Sequence, residues 1–160
     1  MNRIVQQPET ARTLLLPERD LPYILKNVYE KIVHGCRDEI VLDLETCFLL
    51  FRVNIDSDEL SASYQAKSFH ASRSHRSIRT TKLWSKYIGK SYGWNWLAVN
   101  QQGYLDTVLI SFMGIEPNVM LQAVASSIEV FAIVPAKSDS ASAMDRNGKR
   151  KTKAKTVTRN

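Results

Sequence analysis

Arg73, Arg76, Arg79 and Lys82 recur every third residue, a spacing that lines one side of a helix or an extended arm with cations suited to phosphate contacts. A denser run, Lys149, Arg150, Lys151, Lys153 and Lys155, would repel itself in any compact form and attract phosphates, acidic lipid or an acidic protein surface instead. Trp94 and Trp96 stand two residues apart, so on a strand they share one side, where indole rings can stack on nucleobases. Burial competes with stacking, because two tryptophans against an amphipathic helix would form much of a core. Nucleic acid or an acidic protein surface is therefore the expected partner, with Arg73, Arg76, Arg79, Lys82, Lys149, Arg150, Lys151 and Lys153 as the expected contacts.

Other reactive groups point less far. Asp56, Asp58 and Glu59 supply hard oxygen atoms of the kind calcium or magnesium prefers, yet the segment lacks the central glycine and the distal carboxylate of a calcium loop and reads as a solvated turn. His70 and His75 match no fixed metal-ligand spacing, and the neighbouring Arg73, Arg76 and Arg79 disfavour a protonated imidazole. With Asp106 they are the sole group to propose for acid-base work. Cys36 and Cys47 are too few for a disulfide framework or a closed zinc site and carry no nucleophile signature. No phosphate loop, nucleophile elbow or two-histidine zinc helix occurs. The expectation is a protein that is not an enzyme and holds no metal or cofactor.

The charge pattern separates two regions. The chain has 160 residues, 44% hydrophobic and 24% charged, with a net charge of +6. Residues 1–135 carry 14 Lys or Arg against 14 Asp or Glu, whereas 136–160 carry eight basic residues against Asp139 and Asp145, so the whole excess lies at the C-terminal end. That end has no aromatic residue, Leu or Ile with which to offset the backbone entropy lost on ordering, about 1–2 kcal/mol per residue. It is expected to be a disordered basic tail. Within the body, Leu60 to Leu105 holds seven basic residues and no acidic one, together with eight of the 14 aromatic residues, a candidate positive face. No apolar run reaches the roughly 20 residues that cross a bilayer, and the first residues lack a signal peptide's apolar stretch, so a soluble, cytoplasmic protein without membrane insertion is expected.

The elements that must position these groups follow from period and turn chemistry. Leu21, Ile24, Leu25, Val28, Ile32 and Val33 recur at three- and four-residue spacing, with Asp20 placed to cap and Gly35 to terminate, which predicts one amphipathic helix. Beyond Gly35 the period drops toward two. Glu39 to Glu45, Phe48 to Asn54 and Glu59 to Tyr64 read as a three-strand meander, with Asp56, Ser57 and Asp58 in its second turn. Ala66 to Thr81 reads as an exposed loop, and Trp84, Tyr87 and Ile88 as a short helical turn. Trp94 to Val99 and Thr107 to Phe112 form a hairpin around Gln101, Gln102 and Gly103, and Val119 to Val134 gives a last strand or pair of strands. The sum predicts an α+β domain over 19–135, an antiparallel sheet of about six strands with the helix across its dry face, or a small half-open barrel. Residues 1–18 form an irregular arm and 136–160 the tail.

Two stretches, Asp38 to Leu60 and Gly93 to Phe131, resemble an uncharacterised bacterial family well represented in cyanobacteria. The resemblance rests on Glu39, Ile40, Val41 and Leu42, then Asn54, Asp56, Asp58 and Glu59, then Asn100 to Tyr104 with Asp106. It implies no activity, and the basic tail is an addition to the pattern. The function expected from the residues is a non-enzymatic binding or regulatory domain whose body contacts a macromolecule while the tail adds salt-sensitive affinity for nucleic acid or another polyanion. The alternative is a protein interaction module, a neutraliser or assembly factor, that uses a sheet edge and the acids from Asp43 to Glu59 and can dispense with the tail.

Overall fold

A computed structural model describes residues 23–66 and 74–134. Nine strands follow one another: β1 (Leu25–Val33), β2 (Cys36–Leu44), β3 (Cys47–Asn54), β4 (Glu59–Ala66), β5 (His75–Ser77), β6 (Tyr92–Val99), β7 (Leu105–Phe112), β8 (Val119–Val124) and β9 (Ser127–Ala132). A 3-10 turn, Trp84–Lys86, lies between β5 and β6. The strands form two antiparallel sheets, ordered β4-β3-β2-β1-β5 and β6-β7-β8-β9. The sheets pack face to face, β2 against β9 and β4 against β7, so the described domain is all-β.

That architecture corrects the expected α+β class. The segment assigned to an amphipathic helix is β1, hydrogen-bonded to β2 on one side and β5 on the other. Its helix-like spacing has a specific origin. Leu25 pairs with Leu44 and Val28 with Leu42, and a register shift between Leu25 and Asn27 inserts one residue, so two positions three apart both point inward. A second shift, between Lys31 and Ile32, puts its extra residue, Asp38, on β2 and leaves the alternation of β1 intact. One bulge thus gives Leu25 and Val28 the three-residue spacing of a helix. Gly35, read as a helix terminator, instead follows His34 in a two-residue hairpin turn with both φ angles positive, +85° and +50°.

The meander appears as β2, β3 and β4, and the later hairpin as β6 and β7. The last apolar stretch is a pair of strands, β8 and β9, joined by Ala125 and Ser126. The main core cluster is shared by both sheets, built from Leu42, Leu49 and Phe51 on one side and Ile110, Leu121 and Ile128 on the other, and a smaller cluster of Val41, Phe48 and Leu50 with Tyr29 lies on the other face of the first sheet. The segment between β5 and β6 closes the side of the sandwich. Trp84 is buried there, its ring edge-on to Phe112 at 6.5 Å, and Tyr87 stacks on the same Phe112 at 4.9 Å.

The β8–β9 turn is strained and anchored. Ala125 and Ser126 have φ of +48° and +62°. Ser126 N–H donates to Asp58 Oδ1 at 2.6 Å and its hydroxyl donates to the Ile55 carbonyl at 3.0 Å, tying this turn to the β3–β4 turn of the opposite sheet. Alanine in the left-handed region costs about 1 kcal/mol relative to glycine, partly offset by the extra freedom glycine gives the unfolded chain. Ala125→Gly is therefore expected to raise stability by about 0.5 kcal/mol, a Tm increase of roughly 2–4 °C by calorimetry.

Candidate interaction surfaces

The alternation of β7 decides what the second sheet presents to its surroundings. Val108, Ile110 and Phe112 enter the core, so Thr107, Leu109 and Ser111 must face outward. Register then carries Leu109 into an apolar row: Trp96 pairs with Leu109, Leu109 with Met120, and Met120 with Phe131, one large side chain from each of the four strands. None of the four belongs to the core cluster. Phe131 is 41% exposed, and Trp94, two residues before Trp96, is 56% exposed. The neighbouring row, Ala98, Thr107, Gln122 and Glu129, carries a single charge at its β9 end. Trp96, Leu109 and Met120 are half-buried, and such a row of large apolar groups in register across four strands differs from scattered exposed hydrophobics and makes this face a candidate contact surface.

Trp94 is held in place by its backbone. Ser111, fully buried, accepts a hydrogen bond from Trp94 N–H at 2.6 Å and donates its hydroxyl proton to the Gly114 carbonyl at 2.6 Å. This closure needs glycine at 93, where a Cβ would lie 2.3 Å from the Gly114 oxygen and 2.8 Å from Ser111 Oγ. The resulting shift in register between Tyr92 and Asn95 sets the strand's entry. Gly93→Ala is expected to destabilise by about 1–3 kcal/mol, because backbone rather than a flexible side chain must yield. The checks are the urea midpoint and a change in tryptophan emission as Trp94 moves.

The first sheet, beside the apolar cluster of Val41, Phe48 and Leu50, also holds buried charge. Glu30 and Glu39 are 2% and 1% exposed, Glu30 held by two arginines and Glu39 by an arginine and a histidine. Glu30 Oε2 accepts from Arg37 Nε at 2.9 Å and Oε1 from Arg76 Nε at 3.0 Å, with Arg76 Nη2 on the same oxygen. Glu39 Oε2 accepts from Arg52 Nε at 2.9 Å and from Arg52 Nη2, while Oε1 meets His75 Nε2 at 2.6 Å. Pairing across strands explains both: Glu30 lies opposite Arg76 on β5, and Glu39 opposite Arg52 on β3. Burial alone would raise both carboxyl pKa values. The hydrogen bonds and positive charge of Arg76 and Arg37, and of His75 and Arg52, together outweigh it and hold both below the ordinary carboxylate value. Arg37 also spans the sheets, donating from Nη1 to the Ile128 carbonyl at 2.6 Å.

These contacts sort the residues expected to bind a polyanion. Arg76 is largely exposed yet committed to Glu30. Arg79 and Lys82 are exposed between β5 and β6 and form no ion pair among the described residues, as do Lys86 and Lys90 farther along. Arg73, Lys149, Arg150, Lys151 and Lys153 lie outside the described residues, as does His70. Of the suggested acid-base group, His75 meets Glu39 at 2.6 Å and Asp106 accepts from the Thr107 hydroxyl at 3.0 Å. Asp58 serves the β8–β9 turn, Ser57 donates to Glu59 at 3.0 Å, and no group of metal-ligating side chains occurs among the described residues. Cys36 and Cys47 open β2 and β3 and are not joined by a disulfide. Sequence reasoning placed Trp94 and Trp96 on one side of a strand but missed the row they begin, for which Leu109, Met120 and Phe131 on successive strands were the available signal. It also missed the buried carboxylates, whose signal was opposite charges at positions that pair across neighbouring strands.

Among the described residues no helix is long and apolar enough to cross a membrane. No curated protein and no solved structure matches the chain. The matched family segment starts ahead of β1, runs through all nine strands and stops short of the densest cationic run. Residues 15–137 match DUF6334, a family of unknown function, and the chain belongs to that family.

Proposed function

We propose that this protein is a non-catalytic binding module whose folded body engages a protein through the outer face of the β6–β9 sheet. The observation that carries the reading is the four-strand row Trp96, Leu109, Met120 and Phe131, with Trp94 exposed beside it. Interfaces draw most of their affinity from a few large aromatic and aliphatic side chains enclosed by a polar rim, and Gln122 with Glu129 supplies such a rim. The expected alternative surface, a sheet edge with the acids from Asp43 to Glu59, has less to offer. Glu45 is paired with Lys26 at 3.3 Å, and Asp58 is tied to Ser126.

A second reading is favoured by one observation: Arg79, Lys82, Lys86 and Lys90 are exposed along one connector without ion-pair partners among the described residues. That connector, together with the basic residues of 136–160, supplies a salt-sensitive attraction for nucleic acid or another polyanion. Affinity purification from the native host tests both. Full-length bait is expected to retain a protein after nuclease treatment, and Leu109→Asp to lose it. Nucleic acid retained at low salt is expected to fall on deleting 136–160 and on reversing the charge of Lys82 and Lys86. Equal protein retention by the Leu109→Asp bait contradicts the first reading, and salt-independent nucleic-acid retention contradicts the second.

A further inference from the structure

The row across the outer face has a property beyond being apolar: read from either end, it presents aromatic, aliphatic, aliphatic, aromatic. We infer that this face pairs with the same face of a second copy, about a two-fold axis that runs parallel to the strands between β7 and β8. The inference rests on the reading of this face as the contact surface and names its occupant.

A rotation about that axis lays β6 over the second copy's β9 and β7 over its β8. Trp96 then meets the second copy's Phe131, and Leu109 meets its Met120, with each contact made twice. Aromatic rings thus stack at both margins, while the flexible thioether and the leucine fill the centre. The next row obeys the same operation. Thr107 faces Gln122, and Glu129 faces Ala98 at the sheet margin, so the carboxylate of that row is left beside a small residue near solvent rather than opposite another carboxylate. Face-to-face packing of two sheets with strands nearly aligned is an ordinary sandwich geometry. A heterologous partner would require none of this reversal symmetry.

The area sets the strength. Four strands about 4.8 Å apart, over about six residues rising about 3.3 Å each, give a patch of about 19 by 20 Å, or roughly 400 Å² per copy before side-chain relief is counted. The pair therefore sits at the low end of specific interfaces, where association depends on concentration in the micromolar range.

Sedimentation velocity of the full chain from about 5 to about 300 µM is the test. The expected result is a monomer that converts to a dimer across this range. Leu109→Lys and Met120→Glu, each alone, are expected to remain monomeric with unchanged circular dichroism. An equimolar mixture of the two is expected to recover dimer, because the axis puts position 109 of one copy against position 120 of the other. A wild-type monomer throughout overturns the inference, as does a dimer indifferent to Leu109→Lys. Failure of the mixture to recover overturns the proposed axis. A monomeric protein that still loses its captured partner on Leu109→Asp would leave the binding-module reading standing and assign the face to a different protein.

Discussion

Glu39→Ala is expected to lower the unfolding free energy by about 3–5 kcal/mol, as for removal of one member of a buried, hydrogen-bonded ion pair. The carboxylate is 1% exposed and holds Arg52 on one oxygen and His75 on the other, so three strands, β2, β3 and β5, meet at one side chain. Without it the His75 imidazole is left buried and without its carboxylate, whereas the exposed Arg52 guanidinium is free to hydrate. The loss should appear as a fall in urea midpoint at constant slope. A pH series separates lost charge from lost packing. Both Glu30 and Glu39 titrate below the ordinary carboxylate value in the folded state, so their contribution is complete above that value and disappears as pH falls through the depressed native values. The wild-type urea midpoint should therefore decline as the solution is acidified below about pH 4.5, the ordinary value for these groups. Glu39→Gln, which keeps the volume, should start from a lower midpoint and decline less steeply.

The two buried carboxylates also show what a linear reading of the residues can reach. Period two from Glu39 to Glu45 correctly assigned a strand, and the same alternation put Glu39 on a side away from Ile40, Leu42 and Leu44, which is where it lies. What alternation cannot supply is the neighbour. Arg52 and His75 are 13 and 36 residues away from Glu39 in sequence, and only the strand order brings them together. The missed strand β1 fails for a different reason. Its inward residues are displaced by a bulge between Leu25 and Asn27, which breaks the parity from which a strand is recognised, while the β-branched Val28, Ile32 and Val33 that favour a strand weigh little against a helix-like spacing. The hairpin β6–β7 was legible because a local loop joins it. In that loop Asn100 Oδ1 accepts from Gln102 N–H at 2.9 Å and Tyr104 N–H at 3.1 Å, and Gly103 takes φ +91°.

The outer apolar row was half legible for the same reason. Trp94 and Trp96 are neighbours in sequence, so their shared side follows from one strand. Leu109, Met120 and Phe131 join them only through three successive registers. Expecting a tryptophan of the pair to be buried under a helix was reasonable for residues of that size, but no α-helix is present among the described residues, and Trp84 fills the enclosed position instead. Trp84 sits within the cationic connector at the closed side of the sandwich.

That position makes Trp84→Ala the second large expected effect, a loss of about 3–5 kcal/mol. The indole is 2% exposed and packs edge-on against Phe112, which also meets Tyr87 at 4.9 Å and Tyr92 at 6.1 Å. The connector it anchors is tied to β1 at both ends. Ile78 N–H donates to the Val28 carbonyl at 2.8 Å, Gly89 N–H to the Leu25 carbonyl at 2.8 Å, and Leu25 N–H to the Lys90 carbonyl at 2.9 Å. Between these ties the single inward tryptophan fixes the path that carries Lys82 and Lys86. Its removal opens a cavity between the sheets that the tied ends prevent from collapsing, which is the condition under which a large-to-small substitution costs most. Hydrogen exchange should distinguish this from a general weakening. The Tyr87 and Ile88 amides, both bonded to the Trp84 carbonyl, are expected to lose protection well before Val108 or Leu121, and Trp84→Phe should retain most of that protection. Uniform loss of protection across both sheets would instead show that the connector does not open separately from the core it shares.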